Sequence, residues 1–145
     1  MKSAISAILV AVSAFIQLSG FSLFGVKPNL ALAAAIAASI FVPGILEPIL
    51  FSGIAVLILK FSPAPGTEMA VFFIVVAAAG IAGKYFPWRK PINNLAAVFL
   101  SVLAFYAIME IKFVGSPFFW KELFLNLIFG WAIFYFLSLC GKMEK

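Results

Sequence analysis

The sequence predicts an all-α, polytopic integral membrane protein with about six transmembrane helices. Of the 145 residues, 66% are hydrophobic, and the charged residues, 10% of the chain, lie almost entirely at the boundaries between apolar blocks. A soluble domain of this length needs far more charge on its surface. A bilayer core of about 30 Å requires about 20 helical residues per crossing, so the chain has room for roughly six crossings with short connections. A soluble catalytic domain does not fit beside them.

Breaks in the apolar pattern delimit one transmembrane domain over residues 1–145. Proline cannot continue a preceding helix but is well placed at the start of the next one. The predicted helices span residues 3–24, 29–42, 45–61, 68–86, 92–112 and 117–139.

The first block follows Lys2 and carries no charge up to Phe24. A cleaved signal peptide is an alternative, because Lys2 supplies a basic n-region and Val12-Ser13-Ala14 resembles a cleavage site. The apolar run continues well past that point, which favours an uncleaved helix.

The second and third blocks lie between Leu30 and Lys60 and are separated by Pro43, Gly44 and Glu47. This stretch is too long for one straight crossing and short for two complete ones. We expect a tight hairpin of two short helices with Glu47 near its tip. A single long, proline-kinked helix is the alternative.

The fourth block ends in the small residues 77–83, on which another helix can approach closely. Residues 84–91 mix basic and aromatic side chains, as expected at a membrane interface. The fifth and sixth blocks, 92–114 and 117–139, complete the bundle.

The distribution of Lys and Arg predicts the orientation. With six crossings and a cytoplasmic N-terminus, the cytoplasmic side receives Lys2, Lys84, Arg89, Lys90, Lys142 and Lys145. The opposite side receives Lys27, Lys60, Lys112 and Lys121. The positive-inside rule therefore places both termini in the cytoplasm.

The sequence shows no pattern typical of an enzyme. It contains no histidine, and none of its glutamates are spaced as a pair on one helix face. We expect no catalysis, no metal and no cofactor. The single Cys140 excludes an intrachain disulfide, and no basic run is long enough to follow nucleic acid.

Three polar residues interrupt or end apolar blocks. Glu110 is either a buried intramembrane carboxylate, which would be a functional candidate, or an interfacial residue where the fifth helix ends; we favour the second. Gln17 and Asn126 are expected to form hydrogen bonds between helices.

The segment 17–40 resembles the start of the rod-shape-determining MreD family, in which the first helix ends near a G-x-x-P-[DN]-L pattern. The matching positions are Gly25, Pro28, Asn29 and Leu30. The number of apolar blocks and the basic loop 84–90 also fit this family. The sequence departs from the family at Leu59-Lys60, where an acidic residue is expected.

The resemblance implies a non-enzymatic scaffold of the bacterial inner membrane that acts in cell shape and peptidoglycan synthesis. Its implied partners are an MreC-like protein and, through it, the RodA–penicillin-binding-protein synthase and the MreB filament. Pro28, Asn29 and Glu110 are the candidate partner-facing or structural polar residues.

The fold of this family is similar to the substrate-binding S components of energy-coupling-factor transporters. An S component that captures a vitamin or a metal is therefore the alternative function. Such a pocket would draw on Asn29, Glu110, Lys112, Ser116 and Glu122.

Overall fold

The structure is a computed structural model that describes residues 1–59 and 66–143. In this part of the chain it is all-helical, as predicted, with seven helices. They are α1 (Lys2–Leu18), α2 (Leu30–Phe41), α3 (Glu47–Leu59), α4 (Thr67–Tyr85), α5 (Lys90–Met109), α6 (Ile111–Val114) and α7 (Pro117–Met143).

Helix α2 forms the centre of the bundle and packs against α1, α3, α4, α5 and α7. Its residues from Leu30 to Ile40 are all buried. A helix that is apolar on every face belongs inside other helices, and its alanines allow neighbouring backbones to approach closely. The alanine-rich block of the sequence is therefore the core of the fold.

The stretch between Leu30 and Leu59 is a hairpin of two helices, so the alternative of one kinked helix is wrong. Helix α2 ends at Phe41, Val42 is extended, and α3 begins at Glu47 and packs back against α2. Gly44 makes the turn with a φ of +135°, and the Glu47 carboxylate packs directly against it. A side chain at position 44 would be strained and would collide with Glu47.

The predicted first helix, 3–24, is too long, because α1 ends at Leu18. Gly20 has a φ of +80°, a left-handed conformation that ends helices and that glycine adopts without strain. The chain then makes a tight turn in which Leu23 and Val26 exchange two backbone hydrogen bonds of 2.9 Å. Apolar side chains continue through this turn, so the hydropathy pattern alone predicts a helix that is longer than α1.

The other helix ends differ from the predicted ones by smaller amounts. Helix α5 ends at Met109 rather than residue 112, because Glu110 leaves the helical conformation with φ −157° and ψ 79°. The short α6 follows, and α7 continues to Met143, past the predicted end at 139. The predicted end of the third helix, residue 61, lies outside the described residues.

Three of the described helices are long and apolar enough to cross a membrane: Thr67–Tyr85, Lys90–Met109 and Pro117–Lys142. Helices α1, α2 and α3 are shorter and also apolar. These features indicate a membrane protein, while six crossings remain a prediction.

Contacts between successive helices define two ends of the bundle. One end, called here the Lys2 end, is marked by Gly141 packing against Phe41 and Lys2 and by Lys84 bonding to Val42. The opposite Lys27 end holds the turn after α1 and the segment between α5 and α7. Among the described residues, the basic side chains of the Lys2 end are Lys2, Lys84, Arg89, Lys90 and Lys142. Those of the Lys27 end are Lys27, Lys112 and Lys121.

Candidate functional site

A shallow apolar groove runs between α4 and α5 on the outside of the bundle. Its volume is about 300 Å³, and its floor is formed by small side chains. We call it the alanine groove; its residues include Ala78, Ala79, Ala82, Ala97, Leu100 and Ala104. Small residues on an outer face let the backbone of another membrane helix approach closely.

The small-residue segment 77–83 of α4 serves two purposes. Its glycines face inward: a Cβ on Gly80 would lie 2.9 Å from the Ser39 Cβ, and one on Gly83 would lie 2.8 Å from the Ile40 Cδ1. These close contacts join α4 to the central α2. The exposed Ala78 and Ala82 face outward and remain free for contact with lipid or another helix.

A second apolar depression of about 460 Å³ lies beside the groove, on the other side of α5. The two depressions share Phe86 and Leu100, and the second adds the exposed Trp88 and Phe99. Together they form a continuous apolar surface on both flanks of α5.

The predicted site residues Pro28 and Asn29 are buried at the start of α2 rather than displayed on the surface. The Asn29 Oδ1 accepts a hydrogen bond from the Leu32 amide at 3.2 Å. Gln17 Oε1 accepts from the Ala31 amide at 2.9 Å, which confirms the expected role of Gln17 between helices. The first amides of a helix have no partner within it, so these two side chains satisfy donors that would otherwise be buried unpaired.

Glu110 lies at the junction of α5 and α6, and its side chain is exposed. It borders a small cavity of about 230 Å³ at the Lys27 end, together with Glu68, Tyr106 and Met109. The structure therefore separates Glu110 from the buried pair Pro28 and Asn29. Its role as a partner-facing residue stays a prediction.

A buried carboxylate, predicted from the sequence only as a possible pocket residue, lies between α5 and α7. Glu122 is 3% exposed, and its Oε1 accepts a hydrogen bond of 2.5 Å from the Tyr106 hydroxyl. Asn126 lies one turn further along α7, near this carboxylate but outside hydrogen-bond geometry. In the sequence, the i, i+4 spacing places Glu122 and Asn126 on one face of a helix. The sequence does not show that Tyr106 of α5 is the partner of Glu122.

The expectation that Asn126 bonds to another helix is wrong, since neither its Oδ1 nor its Nδ2 has a partner in the described chain. Asn94 takes that role instead: its Nδ2 donates to the Gly130 carbonyl of α7 at 2.9 Å. Of the remaining pocket candidates, Ser116 has a local role, since its Oγ accepts from the Phe119 amide, and Lys112 is exposed.

Lys84 binds the other end of α2. Its Nζ donates to the Val42 carbonyl at 3.0 Å and also to the Gly44 carbonyl. A cation at the C-terminus of a helix satisfies carbonyls that have no amide partner and opposes the negative end of the helix dipole. Polar side chains from α1, α4 and the loop before α2 therefore hold both ends of the central helix.

Comparisons of the chain with protein-family models, with characterised proteins and with solved structures find no match.

Proposed function

We propose that this chain is a non-enzymatic scaffold subunit of a bacterial cell-shape complex, similar to MreD, in the inner membrane. It acts in peptidoglycan synthesis by contact with an MreC-like protein and, through that protein, with the RodA–penicillin-binding-protein synthase and MreB. The alanine groove is the observation that carries this proposal, because it offers a partner helix an apolar surface of small side chains on the outside of the bundle.

The occupant we propose is a transmembrane helix of the MreC-like partner. Association of helices in lipid depends on close packing, since lipid tails are as apolar as the helices themselves. Three alanines of α4 and two of α5 line the groove and permit such packing. Leu100 and Phe86 lie at the junction with the second depression, where larger side chains of a partner would fit.

The charge distribution supports an orientation with the Lys2 end in the cytoplasm. Five described basic residues lie at that end and three at the Lys27 end, in line with the positive-inside rule. In this proposal α1, α2 and α3 also cross the membrane. Helix α2, with 12 residues, is about 18 Å long and depends on its neighbours for shielding.

The resemblance to MreD gains a physical meaning from the fold. Its motif residues Pro28, Asn29 and Leu30 form the start of the central helix, where Asn29 caps α2. Motif residues that fix the start of the central helix are consistent with a family whose members share a fold and contacts rather than a catalytic site.

Co-purification tests the proposal. The chain and the MreC-like protein encoded in the same genome are co-expressed, solubilised and captured through a tag on either protein. Ala78→Phe and Ala82→Phe fill the alanine groove and are expected to abolish capture. Ala132→Phe, on the exposed surface of α7 and outside the groove lining, is the matched control and leaves capture intact. Equal capture of all variants would refute the groove as the contact.

An S component remains the second candidate, because the cavity at the Lys27 end is lined by Glu68, Tyr106 and Glu110. Its volume of about 230 Å³ is below the roughly 300–1,000 Å³ typical of ligand sites. Thermal unfolding with individual vitamins and divalent metals distinguishes the two functions, since a tight ligand raises the apparent stability. A shift that disappears in Glu110→Gln would favour the S component.

A further inference from the structure

We propose that a niche at the Lys2 end binds the headgroup of an anionic phospholipid that carries a glycerol hydroxyl, as in phosphatidylglycerol. The niche has a volume of about 310 Å³ and lies between the α2–α3 turn and the α4–α5 turn. We call it the Lys84 niche; its lining includes Val42, Gly44, Ile45, Lys84, Lys90 and Asn93.

Two ammonium groups provide the phosphate-binding side of the niche. Lys84 donates two hydrogen bonds to the Val42 and Gly44 carbonyls, so its third N–H is available to a ligand. Lys90 is exposed at the rim and lies near enough to Lys84 for the two charges to repel each other. A bound phosphate relieves that repulsion. Glu47, beside Gly44, attracts Lys84 more strongly than Lys90 repels it, but two ammonium groups against one carboxylate leave the niche net positive.

Asn93 provides the complementary acceptor. It is 4% exposed, and its Nδ2 donates to the Phe86 carbonyl at 3.0 Å. Its Oδ1 has no partner in the described chain. A buried acceptor without a donor is destabilising, and a hydroxyl of the ligand would satisfy it. Two ammonium groups and one carbonyl-type acceptor therefore match a phosphate followed by a hydroxyl.

The surroundings of the niche suit a lipid better than a soluble phosphate. Ile45 and Tyr85 line it and are 58% and 70% exposed, so they offer apolar contact to acyl chains. Since α4 and α5 are both long and apolar enough to cross a membrane, the turn that joins them is expected at the depth of lipid headgroups. Basic pockets between membrane helices are known sites for such headgroups.

The test uses the full chain in phosphatidylcholine nanodiscs supplemented with either phosphatidylglycerol or phosphatidylmethanol, which has the same charge but no hydroxyl. Native mass spectrometry counts the retained lipid, and thermal unfolding reports its effect on stability. We expect phosphatidylglycerol to bind about fivefold more tightly than phosphatidylmethanol, from one hydrogen bond to Asn93. Equal retention of the two lipids would overturn the assignment to Asn93.

Lys90→Gln is expected to weaken phosphatidylglycerol binding about fivefold, as the loss of one surface cation implies. Lys112→Gln, an exposed lysine at the opposite end, is the matched control and leaves binding unchanged. An equal loss of phosphatidylglycerol binding in Lys90→Gln and Lys112→Gln would show that the lipid responds only to the overall positive charge of the protein, and it would overturn the site. Glycerol 3-phosphate is added to discs of pure phosphatidylcholine as the soluble arm. Binding as tight as that of phosphatidylglycerol would make the ligand a soluble phosphate and overturn the lipid assignment.

Discussion

Replacing Asn29 by alanine removes the side-chain cap of the most buried helix in the protein. The Leu32 amide, now 3.2 Å from the Asn29 Oδ1, loses its acceptor. Loss of an N-cap costs about 1 kcal/mol in exposed helices, and a buried donor left unpaired costs about 1–3 kcal/mol. We therefore expect Asn29→Ala to lower the free energy of unfolding by about 2 kcal/mol.

Gln17→Ala provides the second half of the experiment, because Gln17 accepts from the neighbouring Ala31 amide at 2.9 Å. We expect a similar loss in this variant. The double variant should lose less than the sum of the two, since unwinding the first turn of α2 releases both amides together. A coupling of roughly 0.5–1 kcal/mol is typical for residues that share one structural unit.

Unfolding is measured in mixed micelles by titration with a denaturing detergent, followed by tryptophan fluorescence. Asn29→Ser keeps an oxygen acceptor and should retain most of the stability. Ser22→Ala, an exposed polar residue in the same loop, is the matched control. If Asn29→Ala is as stable as Ser22→Ala, the cap does not hold α2 in place and the reasoning is refuted.

Three further predictions follow from other contacts. Tyr106→Phe leaves the buried Glu122 carboxylate without its hydroxyl donor and should destabilise the protein by about 1–3 kcal/mol in the same assay; no change would show that Glu122 finds another donor. Gly83→Ala places a Cβ 2.8 Å from a side chain of α2 and should cost about 1–3 kcal/mol. Its control, Gly53→Ala, meets only a ring atom at 3.9 Å and should be neutral or stabilising by up to about 1 kcal/mol. Reporters fused to the two termini should both be cytoplasmic, and opposite compartments would contradict six crossings.

Proline and asparagine residues made the starts of α2 and α7 predictable. Asn29 is the N-cap of α2, and Pro117 is the first residue of α7, as the spacing indicated. The end of α1 was not predictable from apolar composition, because Phe21 and Phe24 continue the hydrophobic pattern through a tight turn.

The polar contacts depended on tertiary structure and were therefore harder to predict. Gln17 was identified as an interhelical partner, but its target amide on α2 could not be read from the sequence. Glu122 and Asn126 are visible as neighbours on one helix face, whereas Tyr106 meets Glu122 only through the packing of α5 against α7. The alanine groove likewise required knowledge of which face of α4 lies against α2.

The binding of Lys84 to the end of α2 has a consequence for biosynthesis. The carbonyls of Val42 and Gly44 leave the ribosome about 40 residues before the lysine that binds them, and α7, which also packs against α2, follows later still. Helix α2 therefore leaves the ribosome before Lys84 and α7, which complete its surroundings in the folded protein. The packing of α2 is therefore completed late, after α4, α5 and α7 have followed it along the chain.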